Sequence, residues 1–267
     1  MPPPAPLADV VAPLRADPGR AAILLDVDGT LAPIVRDPLA ATVPERTRRL
    51  VHGLTGRYAL VGCVTGRRAT AARQMLGIGT IPYAGNHGAE LLVRGAPVAE
   101  IDPDAARWAE RVRAVLDFET VERLREAGVR EEDKGPIVAL HWRGAEDEAA
   151  AEDAARLVGQ AARARGLDVH EGRRVLELRA PVQIGKDRAV RRLLDGSGAR
   201  AALYVGDDRT DADAFAGLRE LVADGRLETA VCIAVASDET PRALLDAADA
   251  VVIGTAGVRD LLELLLA

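Results

Sequence analysis

Short runs of apolar residues alternate along this chain with longer stretches in which apolar residues recur every three to four positions. The short runs have the length of buried strands, and the longer stretches have the period of helices that bury one face. Strand followed by helix, repeated along the chain, predicts a parallel sheet with helices on both faces. The predicted strands are Ile23–Leu25, Tyr58–Val64, Ile81–Ala84, Leu203–Val205, Val231–Val235 and Val251–Ile253, and the predicted helices include Pro44–Gly53, Ala69–Leu76, Asp187–Leu194 and Asp211–Leu218.

One segment breaks this alternation, after a predicted hairpin at Ala89–Glu100 whose turn is Arg94-Gly95. Its order of helices and strands is typical of an α+β unit. We therefore predict a sheet domain of residues 1–103 and 180–267, with 1–15 as a flexible tail, and an inserted domain of residues 104–179. The elements predicted in the insert are a long helix Ala105–Ala127, a strand Ile137–Trp142, a helix Ala145–Arg165 and two strands, Leu167–His170 and Val175–Leu178.

Composition restricts the function. The chain has 267 residues and a formal net charge of −6, with acidic and basic residues mixed. Nucleic-acid binding needs a concentrated basic face, so we expect no nucleic-acid partner. Cys63 and Cys232 lie inside predicted strands, where buried thiols are expected rather than a disulfide or metal site. The first residues do not fit a signal peptide, and no apolar run reaches membrane-spanning length. We expect a cytoplasmic protein with no membrane partner. The oligomeric state stays open, and a monomer is compatible with the sequence.

The motif Asp26-Val27-Asp28-Gly29-Thr30 follows the first predicted strand directly. Side chains alternate along a strand, so two carboxylates one residue apart are expected to point the same way. Such a pair can hold a divalent cation, or can divide the work of a nucleophile and a proton carrier. An acidic turn without chemistry is the other interpretation, because Asp and Gly are common turn residues.

Three further polar motifs stand at strand ends or helix starts. Thr65-Gly66-Arg67 offers a hydroxyl and backbone N–H groups to an anion, or is an ordinary helix cap. Lys186 begins a predicted helix, where a lysine is unfavourable unless an anion lies near, although most lysines are solvated surface residues. Gly206-Asp207-Asp208-Arg209-Thr210-Asp211 concentrates carboxylates whose repulsion a cation would relieve. An acidic helix start also explains Asp208 and Asp211 well, but it explains Asp207 less well. In open α/β sheets, ligands bind at the carboxyl ends of the strands.

These four motifs, in this order, resemble those of the haloacid dehalogenase (HAD) superfamily of phosphatases. Longer segments resemble the trehalose-6-phosphate phosphatases, and this resemblance runs from about Ile23 to the C-terminus. It implies a Rossmann-like parallel-sheet HAD core with an inserted α+β cap domain, Mg²⁺ as the cofactor and a small sugar phosphate as the substrate. The segments that carry it are Gly85-Asn86-His87-Gly88-Ala89-Glu90, His141-Trp142-Arg143, Glu171–Arg179 and Tyr204–Phe215.

The resemblance also implies roles for single residues. Asp26 would be the nucleophile that forms an aspartyl-phosphate, and Asp28 would protonate the leaving sugar oxygen and then take a proton from water. Mg²⁺ would be held by Asp26, the backbone carbonyl of Asp28 and Asp207. Asp208 and Asp211 would orient the groups around it. The residues expected to hold the phosphoryl oxygens are Thr65, Gly66, Arg67 and Lys186, of which Thr65 and Lys186 are counted as catalytic.

Recognition of the sugar would come from outside these motifs, between core and cap. For Arg179 we expect the solvated face of a half-buried strand. Glu132 and Lys134 lie in a charge run, which predicts solvated surface, with a contact to the substrate as the alternative. The candidates for the sugar hydroxyl groups are Asn86, His87 and Glu90 in the core, and Arg143, Glu171, Arg173 and Glu177 in the cap.

Alternatives remain at this point. The substrate could be another sugar phosphate, such as a glucosyl- or mannosyl-glycerate or sucrose phosphate. A phospho-acceptor module also combines aspartates, a lysine and Mg²⁺, but Asp28 and the large insert argue against it. An inactive regulatory homologue is disfavoured because all the reacting groups are present. The chain departs from the family pattern at Ala180, where proline is usual, and at Gly185, where Asp or Ser often stands, and both affect loop shape rather than the reacting groups.

Overall fold

The computed structural model describes residues 6–35, 40–182 and 184–267. These residues form two compact units, the first comprising 6–35, 40–100 and 184–267 and the second 101–182. The insert predicted at 104–179 has ends within four residues of this division. Whether the second unit acts as a cap over a substrate stays a prediction.

Twelve strands are present in the described part of the chain. In the first unit, most strands coincide with the predicted apolar runs, because their alternate side chains enter apolar layers on the two sides of one sheet. They are β1 (Ala21–Leu25), β2 (Leu60–Val64), β3 (Tyr83–Gly85), β4 (Glu90–Leu92), β5 (Glu100–Ile101), β6 (Arg130–Asp133), β7 (Ile137–His141), β8 (Asp168–Gly172), β9 (Val175–Arg179), β10 (Ala201–Gly206), β11 (Thr229–Ala236) and β12 (Ala250–Ile253).

Helices connect these strands. The described α-helices are α1 (Leu7–Val10), α2 (Ala12–Ala16), α3 (Glu45–Thr55), α4 (Ala69–Leu76), α5 (Pro103–Arg113), α6 (Phe118–Glu126), α7 (Glu148–Ala164), α8 (Lys186–Leu194), α9 (Asp211–Ala223), α10 (Arg242–Ala247) and α11 (Gly254–Leu266). Among the residues described, no helix has the length and apolar character needed to cross a bilayer.

The first unit is built on a sheet with the strand order β12-β11-β10-β1-β2-β3-β4-β5. Strands β12 to β3 pair in parallel, and β3 pairs with β4 in antiparallel orientation. Alternate residues of β1 enter two different apolar layers: Ile23 and Leu25 pack with α3, α4 and α11, whereas Leu24 packs with α8 and α9. The predicted α/β core with helices on both faces of a largely parallel sheet is confirmed.

The flexible tail predicted for residues 1–15 is wrong where the structure describes it. Residues 1–5 lie outside the described residues, but α1 and α2 follow at once, and Val11 and Leu14 are fully buried in the core. Apolar residues at positions 7, 10, 11 and 14 have the spacing of an amphipathic helix, and the run of prolines before them obscured this pattern. The two cysteines are buried and unpaired, as predicted.

The second unit has an antiparallel sheet of order β6-β7-β9-β8, with an apolar core formed by α5, α6, α7 and one face of the sheet. The long helix predicted at Ala105–Ala127 is wrong, because the segment contains two helices. Asp117 starts the second of them by accepting a hydrogen bond from the Thr120 amide at 2.8 Å. Strand β6 was missed because its four residues are all charged and show no apolar alternation.

Candidate active site

Three of the four motifs stand at the carboxyl ends of adjacent parallel strands. Asp26 follows β1, Thr65 follows β2 and Asp207 follows β10, and these strands are neighbours in the order β10-β1-β2. Backbone pairing continues past the strand ends, because the Asp26 amide donates to the Val205 carbonyl at 3.0 Å. The topology thus brings residues that are up to 181 positions apart to one edge of the sheet.

Asp26, Asp207 and Asp211 form a buried carboxylate group, with one oxygen of each within 4.8 Å of the others. Burial raises the pKa of Asp26 well above its ordinary value. The charge of Lys186 opposes this rise, and the neighbouring carboxylates add to it. A set of hard oxygen donors that repel one another is suited to a divalent cation. The site is therefore compatible with a divalent metal, with Asp211 as a further carboxylate beside the predicted Asp26 and Asp207.

Lys186 supplies the positive charge of this group from the first turn of α8. Its Nζ donates to Asp26 Oδ1 at 2.9 Å and to Asp211 Oδ1 at 2.5 Å, and lies 3.9 Å from Asp208 Oδ1. Burial alone would lower the pKa of this lysine, but Asp211 and Asp26 outweigh it and the pKa is raised. The predicted surface alternative for Lys186 is excluded, since its side chain is 2% exposed.

Asp211 orients the loop that carries Asp207. Its Oδ2 accepts hydrogen bonds from the amides of Asp207 and Asp208 at 2.8 and 2.9 Å, and its Oδ1 also accepts from the Tyr204 hydroxyl at 2.7 Å. A Cβ on Gly206 would lie 2.2 Å from Asp211 Cγ, so only glycine permits this approach. These contacts support the orienting role that the resemblance implied for Asp211.

Asp208 points to its own turn. Its Oδ1 accepts from the Thr210 amide at 2.9 Å and the Thr210 hydroxyl at 2.8 Å. Burial would raise the pKa of Asp208, but Lys186 and the Thr210 hydrogen bonds outweigh it and hold the pKa below its usual range. Asp208 is therefore ionised and contributes negative charge beside Lys186.

Asp28 does not share the surroundings of Asp26. Strand β1 ends at Leu25, so the alternation used to align the two carboxylates no longer applies beyond it. The guanidinium of Arg67 instead contacts both carboxylate oxygens of Asp28, at 2.6 and 2.7 Å. Gly29 permits the sharp turn that follows Asp28: its φ is +79°, and a Cβ there would lie 2.1 Å from Asp207 Oδ2.

The Thr65–Arg67 loop lies beside the predicted sugar contacts of the core. The Arg67 amide donates to Thr65 Oγ1 at 3.1 Å. A Cβ on Gly66 would lie 2.7 Å from His87 Nε2, so the imidazole is packed directly on this loop. Glu90 is buried, and it accepts from Asn86 Nδ2 and from the Ala69 amide, both at 2.8 Å. Asn86 and Glu90 therefore support the Thr65–Arg67 loop and the start of α4, and their contact with a sugar stays a prediction.

A second charged group is buried in the second unit. Lys134 Nζ donates to Glu177 Oε1 at 3.0 Å, and Arg179 donates to Glu177 Oε2 through both Nε and Nη2. The expectation that Lys134 and Arg179 are solvated is wrong, because all three side chains are less than a tenth exposed. Beside them, His141 Nε2 lies 3.0 Å from Glu132 Oε2.

The sheet register separates the predicted sugar contacts of this unit. Glu177 stands opposite His170 and Ala139, on the face away from the apolar core, whereas Glu171 stands opposite Leu176, whose side chain enters that core. Glu171 is half exposed, 3.9 Å from Arg156 of α7. Glu171 and Glu177 are therefore not brought together. Arg143 lies two residues after β7, Arg173 follows β8 directly, and both are partly buried.

Sequence reasoning placed Lys134 on the surface although a signal was available. The chain has 35 Lys and Arg residues, and only Lys134 and Lys186 are lysines. Both lysines are buried against carboxylates. In a chain that otherwise uses arginine throughout, a lysine marks a position that needs a compact ammonium group.

Comparisons with known proteins assign the chain to a family. The profile of the trehalose-phosphatase family matches residues 24–247. The chain belongs to this family. The resemblance to this family is therefore confirmed.

The similar proteins are longer than this chain. A probable trehalose-phosphate phosphatase 9 of Oryza sativa subsp. japonica is 30% identical over 232 residues, which cover 75% of this chain and 60% of that protein. A trehalose-phosphate phosphatase of Mycobacterium bovis is 34% identical over 204 residues, 73% of this chain and 50% of that protein. An uncharacterized glycosyl hydrolase of Mycobacterium tuberculosis is 32% identical over 216 residues, which cover 75% of this chain and 15% of that protein. The chain thus spans between 15% and 60% of the length of these relatives.

Solved structures share the fold. The crystal structure of a trehalose-6-phosphate phosphatase related protein is 25% identical, with a TM-score of 0.73 over 91% of this chain and 95% of that one. The C-terminal domain of the trehalose-6-phosphate phosphatase of C. albicans has a TM-score of 0.79 at 22% identity, over 98% of both chains. The chain therefore shares its fold with these structures.

Proposed function

We propose that this protein hydrolyses trehalose 6-phosphate to trehalose and inorganic phosphate, the final step of trehalose biosynthesis. The observation that carries the proposal is the buried group of Asp26, Asp207 and Lys186, in a chain of the trehalose-phosphatase family. The similarity to the trehalose-phosphate phosphatases of rice and Mycobacterium bovis supports the choice of substrate.

The proposed reaction has two steps. A carboxylate oxygen of Asp26 attacks phosphorus, the ester bond to the sugar oxygen breaks, and an aspartyl-phosphate forms. Asp28 donates a proton to the leaving oxygen. Asp28 then takes a proton from the water that attacks the aspartyl-phosphate, which releases phosphate and restores Asp26. Such reactions depend mainly on positioning and on stabilisation of charge, which the rigid, buried surroundings of Asp26 favour.

The oxygen donors present fit Mg²⁺. Asp26 and Asp207 would hold the ion, with the backbone carbonyl of Asp28 as a further ligand, and Asp211 would keep the Asp207 loop in place. Bound there, the cation would offset the negative charge of the phosphoryl group. Lys186, together with Thr65 and the amides of its loop, would bind the phosphoryl oxygens.

Specificity for a sugar needs residues outside this core site. The buried Lys134–Glu177–Arg179 group offers ammonium, guanidinium and carboxylate groups on the polar face of the sheet in the second unit. Buried charges that balance one another are suited to bind sugar hydroxyl groups by charge-assisted hydrogen bonds. We propose that this face selects the sugar.

Glu177→Gln tests this assignment. We expect the KM for trehalose 6-phosphate to rise about 10- to 100-fold, because a charge-assisted hydrogen bond is worth about 1.5–3 kcal/mol. Turnover of p-nitrophenyl phosphate, which lacks the sugar, should change less than about 3-fold and also reports that the core is folded. The matched control is Glu171→Gln on the other face of the same sheet, expected to leave both activities unchanged. Equal effects of the two variants would contradict the assignment.

Phosphate release from a panel of sugar phosphates, with and without Mg²⁺, tests the proposed function itself. We expect a strong, Mg²⁺-dependent preference for trehalose 6-phosphate. A preference for another sugar phosphate would retain the core mechanism and reject the substrate. The cytoplasmic location and the oligomeric state stay predictions.

A further inference from the structure

Arg67 joins the phosphate-binding loop to Asp28, the residue proposed to carry the proton. Its Nε donates to Asp28 Oδ2 at 2.6 Å and its Nη2 donates to Asp28 Oδ1 at 2.7 Å. Two parallel hydrogen bonds to one carboxylate determine the orientation of its plane as well as its position. A lysine, with a single ammonium group, could not define both.

The backbone of Arg67 is held on both sides. Its N–H donates to Thr65 Oγ1 at 3.1 Å, and its carbonyl accepts from the Asn86 amide at 2.7 Å. The donor of that second bond lies in a turn of unusual conformation, in which Asn86 and His87 have φ of +48° and +55°. Such conformations persist only where the surroundings enforce them. The surroundings include a hydrogen bond from the His87 amide to the Thr65 carbonyl at 2.9 Å. The guanidinium therefore extends from a rigid base.

Exposure differs between the two partners. The side chain of Arg67 is 17% exposed and that of Asp28 is 38% exposed. A carboxylate has about four lone-pair sites, and the two bonds from Arg67 occupy two of them. Asp28 can thus stay bound to Arg67 while its more exposed side exchanges a proton with a leaving oxygen or a water.

We propose that Arg67 is the positioning residue for Asp28, and that its guanidinium acts on the reaction through this carboxylate rather than as a main ligand of the phosphoryl group. The inference rests on the proposed function, since it assigns Arg67 to the proton transfer of that reaction. If Arg67 only bound phosphate, its replacement would lower kcat by the same factor whether or not Asp28 is present. If Arg67 positions Asp28, its replacement has little effect on kcat once Asp28 is absent.

A double-mutant cycle with Arg67→Ala and Asp28→Asn separates the two roles. In the full chain with Mg²⁺, we expect Arg67→Ala to lower kcat about 30- to 100-fold, because a small misplacement of a reacting group costs about that much. Asp28→Asn should lower kcat about 10²- to 10⁴-fold. In the Asp28→Asn background, the further effect of Arg67→Ala should be less than about 3-fold. Equal factors in the two backgrounds would overturn the inference.

Two further readouts test the assignment. Inorganic phosphate should inhibit the Arg67→Ala variant with an inhibition constant within about 3-fold of the original, and a rise of about 10-fold or more would instead identify a phosphate ligand. Arg67→Lys should recover only part of kcat, since it restores the charge without the paired contact. Arg49→Ala removes a charge from α3 at a side chain that is 74% exposed, and should leave kcat unchanged.

The cycle is run on whichever phosphate ester the original protein hydrolyses fastest. Failure of the original protein to hydrolyse any ester contradicts the proposed function and this inference with it. An active original protein with additive losses contradicts the inference alone.

Discussion

Asp26→Asn is expected to abolish turnover of every phosphate ester tested, by more than about 10⁴-fold, while the fold persists. The amide has nearly the shape of the carboxylate, but it cannot form the aspartyl-phosphate through which the reaction is proposed to pass. The largest influence on the Asp26 pKa is burial, which raises it, so the charged form is costly at this position. Removal of that charge should not weaken the fold, because Lys186 keeps its bond to Asp211.

The measurement is kcat for the best substrate beside the melting temperature of the same preparation. We expect the melting temperature to stay within a few degrees of the original. Asp195→Asn is a matched control, because that side chain is 79% exposed and pairs only with a surface arginine among the contacts described. If Asp26→Asn kept more than about 1% of the original kcat while Asp28→Asn had no detectable activity, the roles assigned to the two carboxylates would have to be exchanged.

The position of the candidate site residues at one edge of the sheet can be predicted from the sequence, because the parallel topology determines that position. Once the apolar runs are assigned to parallel strands, residues that follow them must gather at one edge of the sheet, and Asp26, Thr65 and Asp207 do so. The direction in which each side chain points depends on the first residues after the strand ends, where no regular period applies. Asp28 turns to Arg67 for this reason, although strand alternation aligned it with Asp26.

The second unit shows a different limit. A charged residue in a strand predicts solvated surface unless its partners are known, and those partners are distant in sequence. Lys134 and Glu177 are 43 residues apart and meet only through the pairing of β6, β7 and β9. The register that places Glu177 and Glu171 on opposite faces likewise follows from strand pairing, which the pattern of each strand alone does not determine.

Lys186→Met is the second variant for which we expect a large effect, on both activity and stability. Methionine retains most of the length and apolar surface of the lysine stem and removes its charge. Asp26 and Asp211 would then lose the cation that both contact, at a position where the lysine is 2% exposed. Loss of one partner from a buried ion pair costs about 3–5 kcal/mol in the free energy of unfolding. Catalysis should fall below detection, because the ammonium group is also the proposed partner of the phosphoryl oxygens.

The pH dependence of this destabilisation identifies its cause. Burial raises the pKa of Asp26 and of Asp211 above the ordinary value of 3.8 even beside Lys186, and the lysine opposes that rise in both cases. Its removal raises both pKa values further. A carboxyl group whose pKa is higher in the folded than in the unfolded protein favours folding at low pH and loses this advantage as the pH rises through the folded pKa. The loss of unfolding free energy in Lys186→Met should therefore grow as the pH rises through the raised folded pKa values of Asp26 and Asp211 in the original protein, because in the variant these pKa values lie higher still.

Urea unfolding of the metal-free protein at several pH values measures this difference. Arg191→Met is the control on the same helix, because Arg191 is 29% exposed and pairs with exposed Glu220, and it should cost less than about 1 kcal/mol at every pH. A pH-independent loss in Lys186→Met would indicate a packing defect rather than uncompensated carboxylates. If the variant were as stable and active as the original, Lys186 would have no role in the site. The charge balance on which the assignment of Asp26 as the nucleophile depends would then also be contradicted.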